Sequence, residues 1–232
     1  MSSSAAAEFA GVIGLTGKIP TKADFVHLRL PGLFTRPWEE WVEAVMRLGA
    51  ADDTHDWQRR FLVSPAWRFA LDAGCLGPPW WAGVLVPCSD SIGRIYPLTV
   101  AAGGESGGPL GDDVLAVFED VALELVDGAI EPEGAADRLS DCVKRRLPPP
   151  ADQPSHAWHD AAGGPVLLRL GDAAAADLSA EPPVSRFWHR AWGDQPALQL
   201  TASGLPPPQA FISLVDGTWP RRDWIRLAGE RR

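Results

Sequence analysis

Hydrophobic and polar positions follow their clearest pattern in residues 66–102, which we interpret as three consecutive strands joined by turns. In the first strand, apolar residues alternate with polar or small ones from Trp67 to Leu71, which is typical of a strand with one buried and one solvent-facing side. This alternation predicts that Arg68 faces solvent. The second strand, residues 80–86, is apolar throughout, as in a central strand covered on both faces.

The third strand is predicted to begin after a turn, because residues 89–93 (SDSIG) are rich in turn-forming side chains. It covers residues 94–100 and contains Pro97. Since proline has no N–H to donate to a neighbouring strand, this position indicates a sheet edge or a β-bulge. A flexible glycine loop is predicted to follow at residues 103–111.

Helical periodicity is found on both sides of this strand-rich centre. One helix is predicted to begin at Pro37, because proline favours the first turn, and to end at Gly49, because glycine commonly follows the last turn. The other predicted helices cover residues 57–63, 112–128 and 132–147 and part of 203–217. Further strands are predicted at residues 11–19, 166–170, 184–189 and 197–201. We therefore expect a tail at residues 1–10, one domain at 11–217 and a basic tail at 218–232.

Composition limits the classes of function. The chain has 232 residues, of which 46% are apolar, so it is long enough for a proper core. Its net charge of −9 argues against nucleic acid or an anionic membrane as the partner, because both favour clustered lysine and arginine. No stretch has the length or apolarity of a signal peptide or a membrane span. Three cysteines without a CxxC spacing favour a reducing compartment, and we expect a cytoplasmic protein.

The strongest catalytic candidate is Ser106 in the segment GESGGPL, which is similar to the nucleophile segment of trypsin-like proteases and fits the G-x-S-x-G pattern of hydrolases. A protease would need a base histidine upstream, and only His27 and His55 precede the serine. A hydrolase would need a tight strand-turn-helix elbow, and the predicted loop is too long for one. We interpret the segment as a surface loop and keep a serine hydrolase as the alternative.

Two other motifs are incomplete. Residues 14–20 (GLTGKIP) approach a phosphate-binding loop, but the required glycine is replaced by Val12 and the magnesium-binding hydroxyl by Ile19. His156, His159 and Asp160 would share a helix face, but they lie in a proline-rich connection and no third well-placed ligand accompanies the pair of histidines. We therefore predict neither a cofactor nor a metal.

The chain carries 11 tryptophans, which serve both in cores and as interface anchors. For Trp38, Trp41 and Trp67 the core is favoured. The cations that stand out in this acidic chain are Lys18, Lys22, Arg29, Arg36 and Arg94. They form either an ordinary solvated face or a basic patch that binds an acidic protein partner.

Four segments, in this order and at these separations, resemble the TagF (ImpM) family of type VI secretion-associated proteins. They are GLTGKIPTKADFVHLRLP (14–31), RPWEEWV (36–42), PAWRFAL (65–71) and WAGVLVPCSDSIGRIYPLTVAA (81–102). Residues 198–215 (LQLTASGLPPPQAFISLV) are similar to the family's C-terminal segment. The chain has Ala23 where the family usually has glycine and Ser91 where it usually has arginine.

The resemblance implies an α/β sandwich in which a central, mostly antiparallel mixed sheet is covered by helices on both sides. It also implies a cytoplasmic, non-enzymatic repressor of type VI secretion that acts after translation by binding the forkhead-associated (Fha) scaffold protein. Such a module needs surface anchors and no reactive group. Within the resembling segments, the partner-binding candidates are Lys18, Asp24, Phe25, Arg68, Arg94 and Tyr96.

Overall fold

A computed structural model describes residues 11–52, 54–105, 108, 110–146, 166–170, 183–193, 197–215 and 224–226. The described strands are β1 (Val12–Gly17), β2 (Val26–Leu28), β3 (Trp67–Leu71), β4 (Trp80–Val86), β5 (Leu98–Gly104), β6 (Val166–Leu170), β7 (Val184–His189), β8 (Leu198–Ser203) and β9 (Trp224–Arg226). The described helices are α1 (Gly32–Asp52), α2 (Thr54–Leu62), α3 (Asp112–Val126), α4 (Pro132–Arg146) and α5 (Pro208–Val215).

All the strands belong to one sheet with the order β2-β1-β5-β4-β3-β7-β8-β6-β9. Neighbouring strands are antiparallel, except for the parallel pair of β6 and β8. Helices α1, α2 and α5 cover one face, and α3 and α4 cover the other. The predicted fold class, a mostly antiparallel mixed sheet between two helical layers, is confirmed.

Strand β4 shows how the two layers share the sheet. Trp81 and Leu85 point toward α1 and α5. The alternate residues of the strand point toward α3 and α4, and they are Trp80, Ala82, Val84 and Val86. The first layer is mainly aromatic: the Trp38 ring lies 4.6 Å from that of Phe69 and 5.2 Å from that of Trp41, centroid to centroid. The prediction that these tryptophans and Trp67 belong to the core is confirmed, since all three are buried.

The prediction of a solvent-facing side for β3 was wrong. Every residue of the strand is buried, and Arg68 is only 2% exposed. Helix α3 covers the second face of this strand and supplies carboxylates to the guanidinium. Both sides of β3 are therefore buried. One side packs against apolar side chains, and on the other side Arg68 forms ion pairs with helix α3.

The predicted third strand was displaced. Strand β5 begins at Leu98, after Pro97, and continues through Gly103 and Gly104, which were predicted to be loop. A side chain at position 103 would lie 2.3 Å from the Trp81 indole, so the glycine leaves room for that ring on the sheet. Here glycine marks a close approach of an aromatic ring and not a chain reversal.

The predicted bounds of α1 were also wrong, because the helix begins at Gly32, before Pro37, and runs past Gly49 to Asp52. A Cβ atom on Gly49 would lie 2.3 Å from the indole of Trp57 in α2. Glycine at position 49 therefore permits the close crossing of α1 and α2, and it does not end the helix.

Replacing Gly49 by alanine should destabilise the protein despite alanine's better helix propensity. Overlap with the buried Trp57 indole should cost about 1–3 kcal/mol, more than the gain in propensity of up to about 1 kcal/mol. The measurement is the free energy of urea unfolding. Gly134→Ala in α4 is the matched control, since its nearest neighbour would lie at 3.5 Å, and it should not destabilise. Equal effects of the two substitutions would contradict the packing account.

Candidate functional site

The site is built around a turn between β4 and β5 that the Asp90 carboxylate organises. Its Oδ1 accepts hydrogen bonds from the backbone amides of Ile92, at 3.1 Å, and Arg94, at 2.8 Å. Gly93 completes the turn with a φ of 83°, a left-handed conformation that glycine adopts without strain. The turn predicted from the SDSIG composition is therefore present, and the Asp90 side chain caps two of its backbone amides.

Two cations share the second oxygen of the same carboxylate. Lys18 follows β1, and its Nζ donates to Oδ2 of Asp90 at 2.6 Å. The Nε of Arg94 donates to the same oxygen at 2.6 Å. The side chains of Asp90 and Lys18 are 0% and 6% exposed, so this ion pair is buried, whereas the Arg94 side chain is 55% exposed.

Aromatic rings pack beside this ion pair. Lys18 Nζ lies 5.1 Å from the centroid of the Phe25 ring, within the range of a cation–π interaction. The edge-to-face contact of Phe25 with Tyr96 has a centroid distance of 4.8 Å. We refer to Lys18, Phe25, Asp90, Arg94 and Tyr96 as the Asp90 cluster.

Backbone contacts tie the segment before β2 to the turn. The Arg94 guanidinium donates to the carbonyl of Ala23, and the amide of Ser91 donates to the carbonyl of Lys22 at 3.2 Å. Segments that are about seventy residues apart in sequence are thus fixed against each other. Ala23 and Ser91, two of the positions where the chain departs from the family pattern, take part through their backbones, so their side chains are not required for these contacts.

Two residues of the cluster have shifted pKa values. Burial alone would raise the pKa of Asp90, but the hydrogen bonds from Lys18 and Arg94 outweigh it and hold that pKa well below its ordinary value. Burial raises the pKa of Tyr96, and the negative charges of Glu39 and Glu43 raise it further. The carboxylate of Asp90 is therefore ionised and the phenol of Tyr96 is protonated near neutral pH.

The structure brings four of the six predicted partner-binding residues together in the Asp90 cluster. Of these, Phe25 and Arg94 are exposed, whereas Lys18 and Tyr96 are buried. Asp24 is exposed and adjoins Phe25 in sequence. Asp90 is a site residue beyond the predicted candidates, and its place in the turn-forming segment SDSIG, two residues before Ile92, is the pattern in the sequence that indicates such a cap.

Arg68 lies apart from the cluster, under the other helical layer. Its Nε donates to Glu119 at 2.8 Å, and its Nη1 donates to the side chain and the carbonyl of Asp112 at the start of α3. A guanidinium that is 2% exposed and paired in this way has no surface to offer a partner. Its prediction as a surface anchor is therefore corrected: Arg68 joins β3 to α3.

Most residues considered for catalysis or metal binding lie outside the described residues. Ser106 lies outside them, as do His156, His159 and Asp160. His27 Nδ1 lies 3.0 Å from Thr16 Oγ1 and 3.2 Å from Glu39 Oε1. In a catalytic triad, one ring nitrogen of the histidine faces the nucleophile and the other faces the acid. In His27 the same nitrogen faces both Thr16 and Glu39, so these three residues are not a triad. The described part of the chain contains no group of three metal-ligating side chains.

Within the described ranges, no helix has the length and apolarity needed to cross a bilayer.

Comparison with known proteins gives a family match and a similar crystal structure. A family model described as "TagF N-terminal domain, Type VI secretion system-associated" matches residues 14–145, more than half of the chain. The fold is also similar to the crystal structure of PA0076 from Pseudomonas aeruginosa PAO1, with a TM-score of 0.68 and 26% sequence identity. That similarity covers 95% of this chain and 100% of the other. No curated protein shows significant sequence similarity to this chain.

Asp90→Asn should destabilise the protein near neutral pH, because the buried Lys18 loses its counter-ion. The folded-state pKa of Asp90 is lowered, so its stabilising effect is complete well above its ordinary value of 3.8 and is lost as the pH falls through that value. Urea unfolding from pH 7 to pH 3 should show a constant stability difference from the wild type down to about pH 5 and a narrowing difference below it.

The control for this experiment is Asp141→Asn, whose exposed carboxylate lies 3.5 Å from Arg145 on α4. This substitution should have little effect at any pH. If Asp90→Asn were as mild as the control, Asp90 would not organise the cluster.

Proposed function

Because the chain belongs to the TagF family of type VI secretion-associated proteins, we propose that it is a non-enzymatic, post-translational repressor of type VI secretion. It acts in the cytoplasm by binding a component of the secretion machine, and the forkhead-associated (Fha) scaffold protein is the partner we propose. Sequestration of the scaffold prevents the machine from secreting, and it requires no chemical step.

The observation that carries this proposal is the convergence at the Asp90 cluster of four residues predicted to bind a partner. A binding module needs side chains that are fixed before the partner arrives, because each side chain ordered on binding costs affinity. Here the buried carboxylate fixes Lys18 and Arg94 from two distant segments. The cluster thus presents Phe25, which is 42% exposed, and the outer part of Arg94 on a rigid base.

The burial of each residue suggests its role. Phe25 and Arg94 are the proposed contact residues, since aromatic and arginine side chains dominate interface energetics. Asp24 is exposed and adjoins Phe25 in sequence, and it is a third proposed contact residue. Lys18 and Tyr96 are proposed positioning residues. Lys18 forms an ion pair with Asp90, and Tyr96 packs edge to face against the Phe25 ring.

Phe25→Ala should weaken binding to the purified Fha scaffold protein by at least about tenfold, the loss expected when an anchor worth 1.4 kcal/mol or more is removed. Leu123→Ala is the matched control, because Leu123 is 43% exposed on the opposite helical layer. Isothermal titration calorimetry gives the affinity, and circular dichroism checks the fold. In cells, Phe25→Ala should relieve repression of secretion. Full affinity of a folded Phe25→Ala protein would contradict this surface, and no binding by the wild type would contradict the partner.

The non-enzymatic character is tested on the alternative nucleophile. A fluorophosphonate probe should not label the wild-type protein, since sequestration requires no activated serine. Stoichiometric labelling that Ser106→Ala abolishes would replace the proposed function with that of a serine hydrolase.

A further inference from the structure

Four large apolar side chains lie exposed beyond the Asp90 cluster. Ile92 is 67% exposed on the turn, Leu62 and Val63 are 42% and 63% exposed at the end of α2, and Trp192 is 54% exposed after β7. We refer to these four residues as the apolar strip. Single exposed apolar residues are common, so the positions of these four relative to one another decide whether they form an interaction site.

Hydrogen bonds connect the parts of the strip to each other and to the Asp90 cluster. Gln58 of α2 donates to the carbonyl of Gly93 at 3.5 Å, which places the helix beside the turn that carries Ile92. Leu62 follows Gln58 by four residues and therefore lies on the same face of the helix. The Trp192 indole N–H donates to the carbonyl of Val63 at 3.0 Å. The strip thus runs from the turn, along α2, to Trp192.

Trp192 has the properties of an interface anchor. Its one polar atom is already bonded within the protein, so the exposed remainder of the ring is apolar and held in place. A large ring with few rotatable bonds loses little entropy when a partner covers it.

Exposed arginines border the strip at the turn and on α2. The Arg94 side chain is 55% exposed and pairs with Asp90, and the Arg59 side chain is 80% exposed and pairs with Asp56 at 2.9 Å. Asp56 also pairs with Arg60, at 3.3 Å, so one carboxylate serves two arginines on α2. A partner therefore gains from carboxylates that face Arg59 and Arg94.

We propose that the partner-binding surface extends from the Asp90 cluster along the apolar strip, and that it binds an acidic segment of the partner protein that carries apolar anchors. The apolar anchors cover Leu62, Val63 and Trp192, and the carboxylates of the segment face Arg59 and Arg94. This inference rests on the proposed function, because it describes the chemistry of the segment by which the Fha scaffold is bound.

The test measures affinity for the purified Fha scaffold with two strip variants and two matched controls. Val63→Asp places a charge in the strip. Its control, Leu123→Asp, places a charge at another exposed apolar residue, which lies on α3 and is 43% exposed. Arg59→Glu reverses an arginine that is 80% exposed and paired within its helix, and Arg145→Glu reverses one that is 76% exposed and paired within α4. All four positions are exposed, so we expect the variants to fold, and urea unfolding checks this.

The inference predicts that Val63→Asp and Arg59→Glu each weaken binding by tenfold or more, while both controls stay within twofold of the wild type. Raising the salt concentration should weaken wild-type binding more than binding of Arg59→Glu. If Phe25→Ala weakens binding but both strip variants do not, the inference is overturned and the proposed function stands. If the wild type does not bind the scaffold, the proposed function fails and the inference fails with it.

Discussion

The structure of the candidate site depends on one buried ion pair, that of Lys18 and Asp90. Removing two charges from water is costly, and a buried pair persists only where additional hydrogen bonds compensate. Asp90 receives them from two backbone amides and from Arg94 as well as from Lys18. An aspartate that must keep all these donors allows only one arrangement of the turn. The pair therefore specifies the geometry of one surface, and removing one of its partners leaves the other charge buried without compensation.

That specification has consequences on both sides of the turn. Arg94, held by Asp90, binds the carbonyl of Ala23 and so positions the segment that carries Phe25. Gly93, placed by the same turn, accepts a hydrogen bond from α2. One carboxylate thus connects the segment before β2, the connection between β4 and β5, and a helix of the aromatic layer. A second buried cation, Arg68, links β3 to α3 in the other layer through Asp112 and Glu119, and its own side chain is only 2% exposed.

Much of the fold could be predicted from the sequence, because the apolar periodicity of the main elements is unambiguous. The apolar run of β4, the amphipathic pattern of α3 and the later strands β6 and β7 were placed within a residue or two. The errors share one cause, which is that a residue's local preference was outweighed by what packs on it in three dimensions. Glycine at positions 49 and 103 predicts a helix end and a loop, but each residue accommodates a tryptophan ring from a neighbouring element. The alternating pattern of β3 predicts a solvent-facing Arg68, but helix α3 lies over that side of the strand. The spacing of Asp90 from Ile92 and Arg94 indicates the local turn, whereas its ion pair with Lys18, 72 residues away, has no local indication.

We propose that this protein binds its partner through the surface that Asp90 organises. Amide hydrogen exchange of the protein with and without the Fha scaffold is the decisive measurement, because it maps the protected backbone without any substitution. We expect complex formation to protect residues 22–25, residues 90–94 and the end of α2. Protection confined to α3 and α4, on the opposite face of the sheet, would contradict it.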